Sequence, residues 1–111
     1  MEPRSVLKFL REFAARELRE KKADHVCVRR VKMEPTLRRG WLPDLIVREV
    51  RGVHYLVCVF SGDVLRVYYM GKGGESLGAS EFIGGEKDKM WKDISERTRN
   101  VFCLPTRCHF S

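Results

Sequence analysis

Apolar residues recur at helical spacing from Ser5 to about Ala23. Val6, Leu10, Phe13 and Ala14 form a stripe, with Leu7, Phe9 and Leu18 at its margins. The spacing predicts an amphipathic helix with Ser5 as N-cap and Lys8, Arg11, Arg16, Arg19 and Lys22 on its outer faces. From His25 to Met33 the period changes to two. Val26, Val28, Arg30 and Lys32 then share one face of a strand, and Cys27, Arg29, Val31 and Met33 the other. Leu45–Val50 and Val53–Phe60 read as a hairpin around Arg51-Gly52, since glycine accepts the positive φ of a two-residue turn. The run VHYLVCVF is almost wholly apolar, which predicts a central strand covered on both faces. Ser61-Gly62-Asp63 turns the chain into a further strand, Val64–Met70. Gly71–Gly85 holds six of the nine glycines and reads as a long loop with a helical turn at Ala79–Phe82. A second helix is predicted from Glu86 to about Asn100, with Met90, Trp91, Ile94 and Val101 at core spacing. A short edge strand is expected in the tail, Val101–Ser111. The predicted fold class is α+β, in an α/β/α-like arrangement. A mostly antiparallel β-meander of four or five strands is flanked by an N-terminal and a C-terminal helix.

The 111 residues amount to one domain, 1–111, with 43% hydrophobic and 33% charged positions. No apolar run approaches the roughly 20 residues of a membrane helix, and MEPRSVLKFLREF is charged throughout, unlike a signal peptide. The expectation is a soluble protein of the cytoplasm with no membrane partner. The net charge of +7 is unevenly placed. Residues 1–40 carry twelve Lys/Arg against six Asp/Glu, residues 41–85 four against five, and residues 86–111 six against four. A localised basic excess is the footprint of a polyanion binder. A solvated basic surface is the plain alternative. There is one Asn and no Gln, and Arg outnumbers Lys fourteen to eight, a thermophile-like trend.

Two acids stand in positions that need explaining. Glu17 falls near the middle of the first helix's apolar stripe, where a carboxylate must reach solvent, find a partner or bind a metal. Asp44 opens the strand after Trp41-Leu42-Pro43, ahead of an apolar run. Taken with the basic loop bearing Arg38 and Arg39, the segment Pro43-Asp44-Leu45-Ile46, Tyr55-Leu56-Val57 and Tyr68-Tyr69-Met70-Gly71-Lys72, the chain over roughly residues 5–72 resembles the PD-(D/E)xK nuclease superfamily. The nearest likeness is to the archaeal Holliday-junction resolvases. The resemblance implies a DNA-facing surface, with Asp44 and Glu17 as catalytic and metal-binding candidates for Mg²⁺ or Mn²⁺ if the protein is an enzyme. The hairpin register would set Asp44 opposite Val59 and bring the family's acid-x-Lys triplet to Val59-Phe60-Ser61, where neither acid nor lysine is present. The resemblance therefore implies a degenerate scaffold that binds DNA without a cofactor and without cleaving it. An endonuclease with relocated ligands and a protein-interaction or assembly factor are the alternatives.

The residues expected to meet nucleic acid are Arg29, Arg30, Lys32, Arg38, Arg39, Lys72 and, by stacking, Trp41. Cys103-x4-Cys108-His109 with Cys27 and Cys58 departs from zinc-knuckle spacing. Buried free thiols are the default, and Cys103–Cys108 or Cys27–Cys58 disulfides are the pairs open to a heat-adapted host. A homodimer through a sheet edge or the glycine-rich loop stays open.

Overall fold

The computed structural model describes residues 3–31 and 52–105. The chain runs α1 (Pro3–Glu20), β1 (His25–Val31), β2 (Val53–Ser61), β3 (Val64–Gly71), β4 (Ser76–Ile83), α2 (Gly85–Arg97) and β5 (Thr98–Leu104). The five strands form one sheet in the order β4-β3-β2-β1-β5, every neighbouring pair antiparallel. The α+β class and the two flanking helices are as the sequence predicts.

Helix α1 begins earlier than its pattern implies, so Ser5 lies inside it rather than at its cap. It ends with the Lys22 N–H on the Arg19 carbonyl, the Ala23 N–H on the Leu18 carbonyl, and Lys22 at φ 52. This is the left-handed residue and paired backbone bonds of a Schellman stop, here with a lysine where glycine is usual. The apolar stripe Val6, Leu10 and Ala14 is buried against Val26, Val28, Tyr55, Val57, Val59 and Met70. On the opposite face, Ile94 of α2, with Met90 and Trp91, packs on Val31, Leu56, Cys58, Leu65, Val67, Tyr69 and Phe82. Strand β2 thus alternates between two cores, and Tyr55 to Val59 are all buried, as its unbroken apolar run demands.

Three expectations are corrected. First, β2 pairs with β1 on one side and β3 on the other, so Val59 faces Val26 and Arg66 rather than Asp44. The edge expected for Leu45–Val50 is occupied by β1. Asp44 and the 45–50 segment themselves lie outside the described residues. Second, the glycine-rich 71–85 stretch is not a loop with a helical turn at Ala79–Phe82. It contains β4, an edge strand whose only buried residue is Phe82. Its pairing with β3 is carried by backbone groups, which leave little trace in hydropathy. Third, α2 stops at Arg97, and Thr98–Asn100 start β5. Thr98 is buried and its hydroxyl donates to the Ile94 carbonyl at 2.6 Å, turning the chain out of the helix and into the sheet.

Strand β5 lies beside β1 with Cys103 opposite Cys27, and the two form a disulfide with a Cα–Cα distance of 4.1 Å. This replaces the Cys103–Cys108 and Cys27–Cys58 pairings and the free-thiol default for these two residues. So short a separation marks the narrow kind of antiparallel pair, in which backbone hydrogen bonds point away from the partner. The N–H and C=O of Cys27 accordingly face β2, where Cys58 is its opposite number. Three cysteines therefore stand in one row across β5, β1 and β2. Cys58 stays free and buried, its thiol pushed up to about 12 by burial.

Two outcomes follow for stability. Removing the disulfide with Cys27→Ala and Cys103→Ala should lower unfolding free energy by about 2–4 kcal/mol, measured by denaturant titration, and reductant should then have no further effect. His25 stacks on Phe60 at 4.2 Å, and burial lowers its pKa below 6.5 against the pull of Asp24. Its neutral form belongs to the folded state, so stability is full above the ordinary value and declines as pH falls through the lowered one. Thermal midpoints from about pH 7.5 to 5 should fall in the parent and flatten in His25→Phe, which keeps the stack.

Candidate nucleic-acid interface

Glu17 has a partner. Its carboxylate is 7% exposed and accepts a hydrogen bond from the Tyr68 hydroxyl at 2.7 Å. The same hydroxyl receives Arg66 Nε at 2.9 Å, and Arg66 forms an ion pair with Glu81. Burial, then the bond to Glu17, raises the Tyr68 pKa, so the phenol stays protonated and donates. The bond to Tyr68 in turn raises that of Arg66. This chain spans α1, β3 and β4 and offsets the cost of a carboxylate in an apolar stripe. Glu17, the one described member of the two metal-binding candidates, is thus already engaged by Tyr68. Both carboxylates are already joined through a phenol and a guanidinium, and no cluster of three or more metal-ligating side chains occurs among the described residues. Val59 and Ser61 line a depression of about 260 Å³ beside Arg66, Glu81, Lys21 and Val64.

The arginines of β1 part company. Arg29 faces α2, where its Nε donates to Thr98 Oγ1 at 2.8 Å and a terminal nitrogen to the carbonyls of Ser95 and Thr98 at 3.1 and 3.0 Å. Its guanidinium also lies 5.4 Å from the Trp91 ring centre. Desolvation lowers its pKa, with the neighbouring Cys58 opposing. Arg29 thus satisfies the carbonyls at the end of α2, the terminus that favours a cation. These bonds give Arg29 a structural role at the end of α2.

Arg30 points to the α1 face, exposed, and directly opposite it across β1 and β5 stands Arg99, also exposed. Opposed residues lie about 5 Å apart at Cβ, and like charges there are unfavourable. No carboxylate pairs with either among the described residues. Arg11 lies over the Phe102 ring at 4.4 Å, and Phe102 is the partner of Val28, two residues before Arg30. Lys72 is exposed in the β3–β4 turn, beyond Gly71, which pairs with Val53. Arg30, paired with Tyr55 and so in line with Met70, is therefore at the same end of the sheet, two strand spacings across and two residues along, about 12 Å away. The N-terminus of α1 packs at this end too, with no acid in its first turn. A helix N-terminus adds partial positive charge.

Of the sequence-predicted site residues, Arg30 and Lys72 come to this common rim, while Arg29 and Glu17 serve the fold. Lys32, Arg38, Arg39, Trp41 and Asp44 lie outside the described residues. Arg99 was hidden because the helical pattern absorbed it, and no sequence signal paired it with Arg30. Tyr68 and Arg66 were legible only as alternate positions of a strand. Comparison with protein-family models, curated proteins and solved structures finds no match for this chain. No described helix is long and apolar enough to cross a membrane.

Tyr68→Phe should destabilise the protein by about 1–3 kcal/mol by orphaning a buried carboxylate. Adding Glu17→Leu should recover part of that loss, since removing both partners is milder than removing one. Urea unfolding of the two single variants and the double variant measures the coupling.

Proposed function

We propose that the protein binds nucleic acid, DNA foremost, through its phosphate backbone and without cleaving it. The observation that supports this is the facing pair Arg30 and Arg99, two exposed guanidinium groups held together with no acid between them among the described residues. A fold that tolerates such repulsion is relieved by an anionic ligand, and a polyphosphate chain supplies one with bidentate geometry at each arginine. Lys72 and the α1 N-terminus extend the same positive end, and the chain as a whole carries +7. Such contacts set affinity and orientation and carry little sequence readout. The nuclease resemblance of residues 5–72 belongs to this reading as the origin of a DNA-facing scaffold. Glu17, one of the two catalytic candidates, is buried and already bonded to Tyr68, which argues against catalysis.

Labelled duplex, branched and single-stranded DNA should bind in fluorescence anisotropy with affinity that drops steeply between about 50 and 200 mM salt. Arg30→Ala with Arg99→Ala should weaken binding and reduce the slope of log K against log salt by about two. Absence of binding at low ionic strength, or an unchanged slope, rejects the proposal. Mg²⁺- or Mn²⁺-dependent cleavage that vanishes in Asp44→Ala would replace it with the endonuclease reading.

A further inference from the structure

Three large apolar side chains are exposed among the described residues: Leu7, Phe9 and Ile83. Scattered exposed apolar groups are ordinary, but Phe9 is fixed in place. Its ring lies nearly parallel to that of Phe13, 17° apart at 6.5 Å, and Phe13 meets Tyr68 edge-on at 5.1 Å. Below, it rests on the β3–β4 turn so closely that a Cβ at Gly74 would come within 2.9 Å of it. Gly74 has φ +91, so this turn needs glycine for its backbone and again for the ring above it. The residue nevertheless remains 43% exposed. Phe13 and Tyr68 are half-buried and Gly74 is buried, so Phe9 is the outermost part of a packed aromatic group that faces water.

The setting is basic. Lys72 is exposed two residues before Gly74 in the same turn, Lys8 adjoins Phe9, and Arg16 lies 5.6 Å from the Phe13 ring centre. Two acids are near. Glu75 is turned back on the Gly73 N–H at 3.1 Å, and Glu12 lies one helical turn on. The span from Arg30 to Lys72, about 12 Å, is about two nucleotides of an extended strand. Resting on the phosphate-binding reading above, we infer that Phe9 is a stacking platform for an unpaired base, so that the ligand is nucleic acid with a single-stranded stretch. Phosphates meet Arg30, Arg99 and Lys72 while one base lies on the Phe9 ring. Duplex DNA, its bases already stacked, gains nothing from Phe9.

The test compares an oligothymidylate with a duplex of equal charge. Phe9→Ala and Phe9→Leu, the second keeping apolar cover over Gly74, should weaken oligothymidylate binding about 5- to 100-fold, the range of one lost base stack. Both should leave duplex binding within about twofold, since the phosphate contacts that dominate affinity are untouched. Phe9→Trp should retain binding, and its indole fluorescence should be quenched by oligothymidylate. Salt-dependent DNA binding that is indifferent to Phe9, or lost equally for both ligands, overturns this inference and leaves the phosphate reading intact. No binding to any nucleic acid overturns both. Phe9-dependent sedimentation with phosphatidylglycerol vesicles, without quenching by the oligonucleotide, overturns it in favour of a lipid surface.

Discussion

Strand β2 is enclosed on four sides, and most of the molecule is a consequence of that enclosure. Its backbone is paired with β1 and β3. Its side chains alternate between the α1 core, through Tyr55, Val57 and Val59, and the α2 core, through Leu56 and Cys58. A strand with no free edge and no wet face leaves each neighbour one inner and one outer role. Helix α1 must cover one face with a narrow stripe and α2 the other. Most charges among the described residues are then driven to the helix exteriors, the sheet ends or the outer strands, and the inward Glu17 and Arg29 are tied to partners. A shift of one residue in β2 would exchange the two cores.

The parts of the fold carried by periodicity were legible. The α1 stripe, the alternation of β1, the buried run of β2 and the Met90, Trp91, Ile94 spacing of α2 all reflect side-chain burial. What escaped is carried by backbone. Strand β4 presents Ala79, Glu81 and Ile83 to solvent and buries only Phe82, so its strand character lies in hydrogen bonds to β3. The α2–β5 junction escaped because Thr98, Arg99 and Asn100 fit a helical register as well as an extended one. The hairpin expected through Arg51-Gly52 is not the pairing of β2, whose two neighbours are β3 and β1, the latter distant in sequence but adjacent in the sheet.

The same distinction governs the site. Arg29 and Arg30 are neighbours with identical chemistry, yet the strand's pleat sends them to opposite faces. One finds the carbonyls at the end of a helix and becomes structural; the other finds a second arginine and open solvent. Glu17, conspicuous in the stripe, is explained by Tyr68 and Arg66, residues 51 and 49 positions distant that only the sheet brings near. Local sequence shows that a buried charge requires a partner; it does not reveal which one.

The row of cysteines has a consequence for how the covalent structure is reached. Cys27 has a cysteine opposite it on each side, and the one it bonds, Cys103, is 76 positions away, on the last of the described strands. Cys58 is nearer along the chain and is brought alongside as soon as β1 and β2 pair. An oxidant acting on a nascent chain before β5 docks would join Cys27 to Cys58 and leave Cys103 with a free thiol at the sheet's margin. The disulfide that forms therefore requires β5 to be docked on β1 when Cys27 is oxidised.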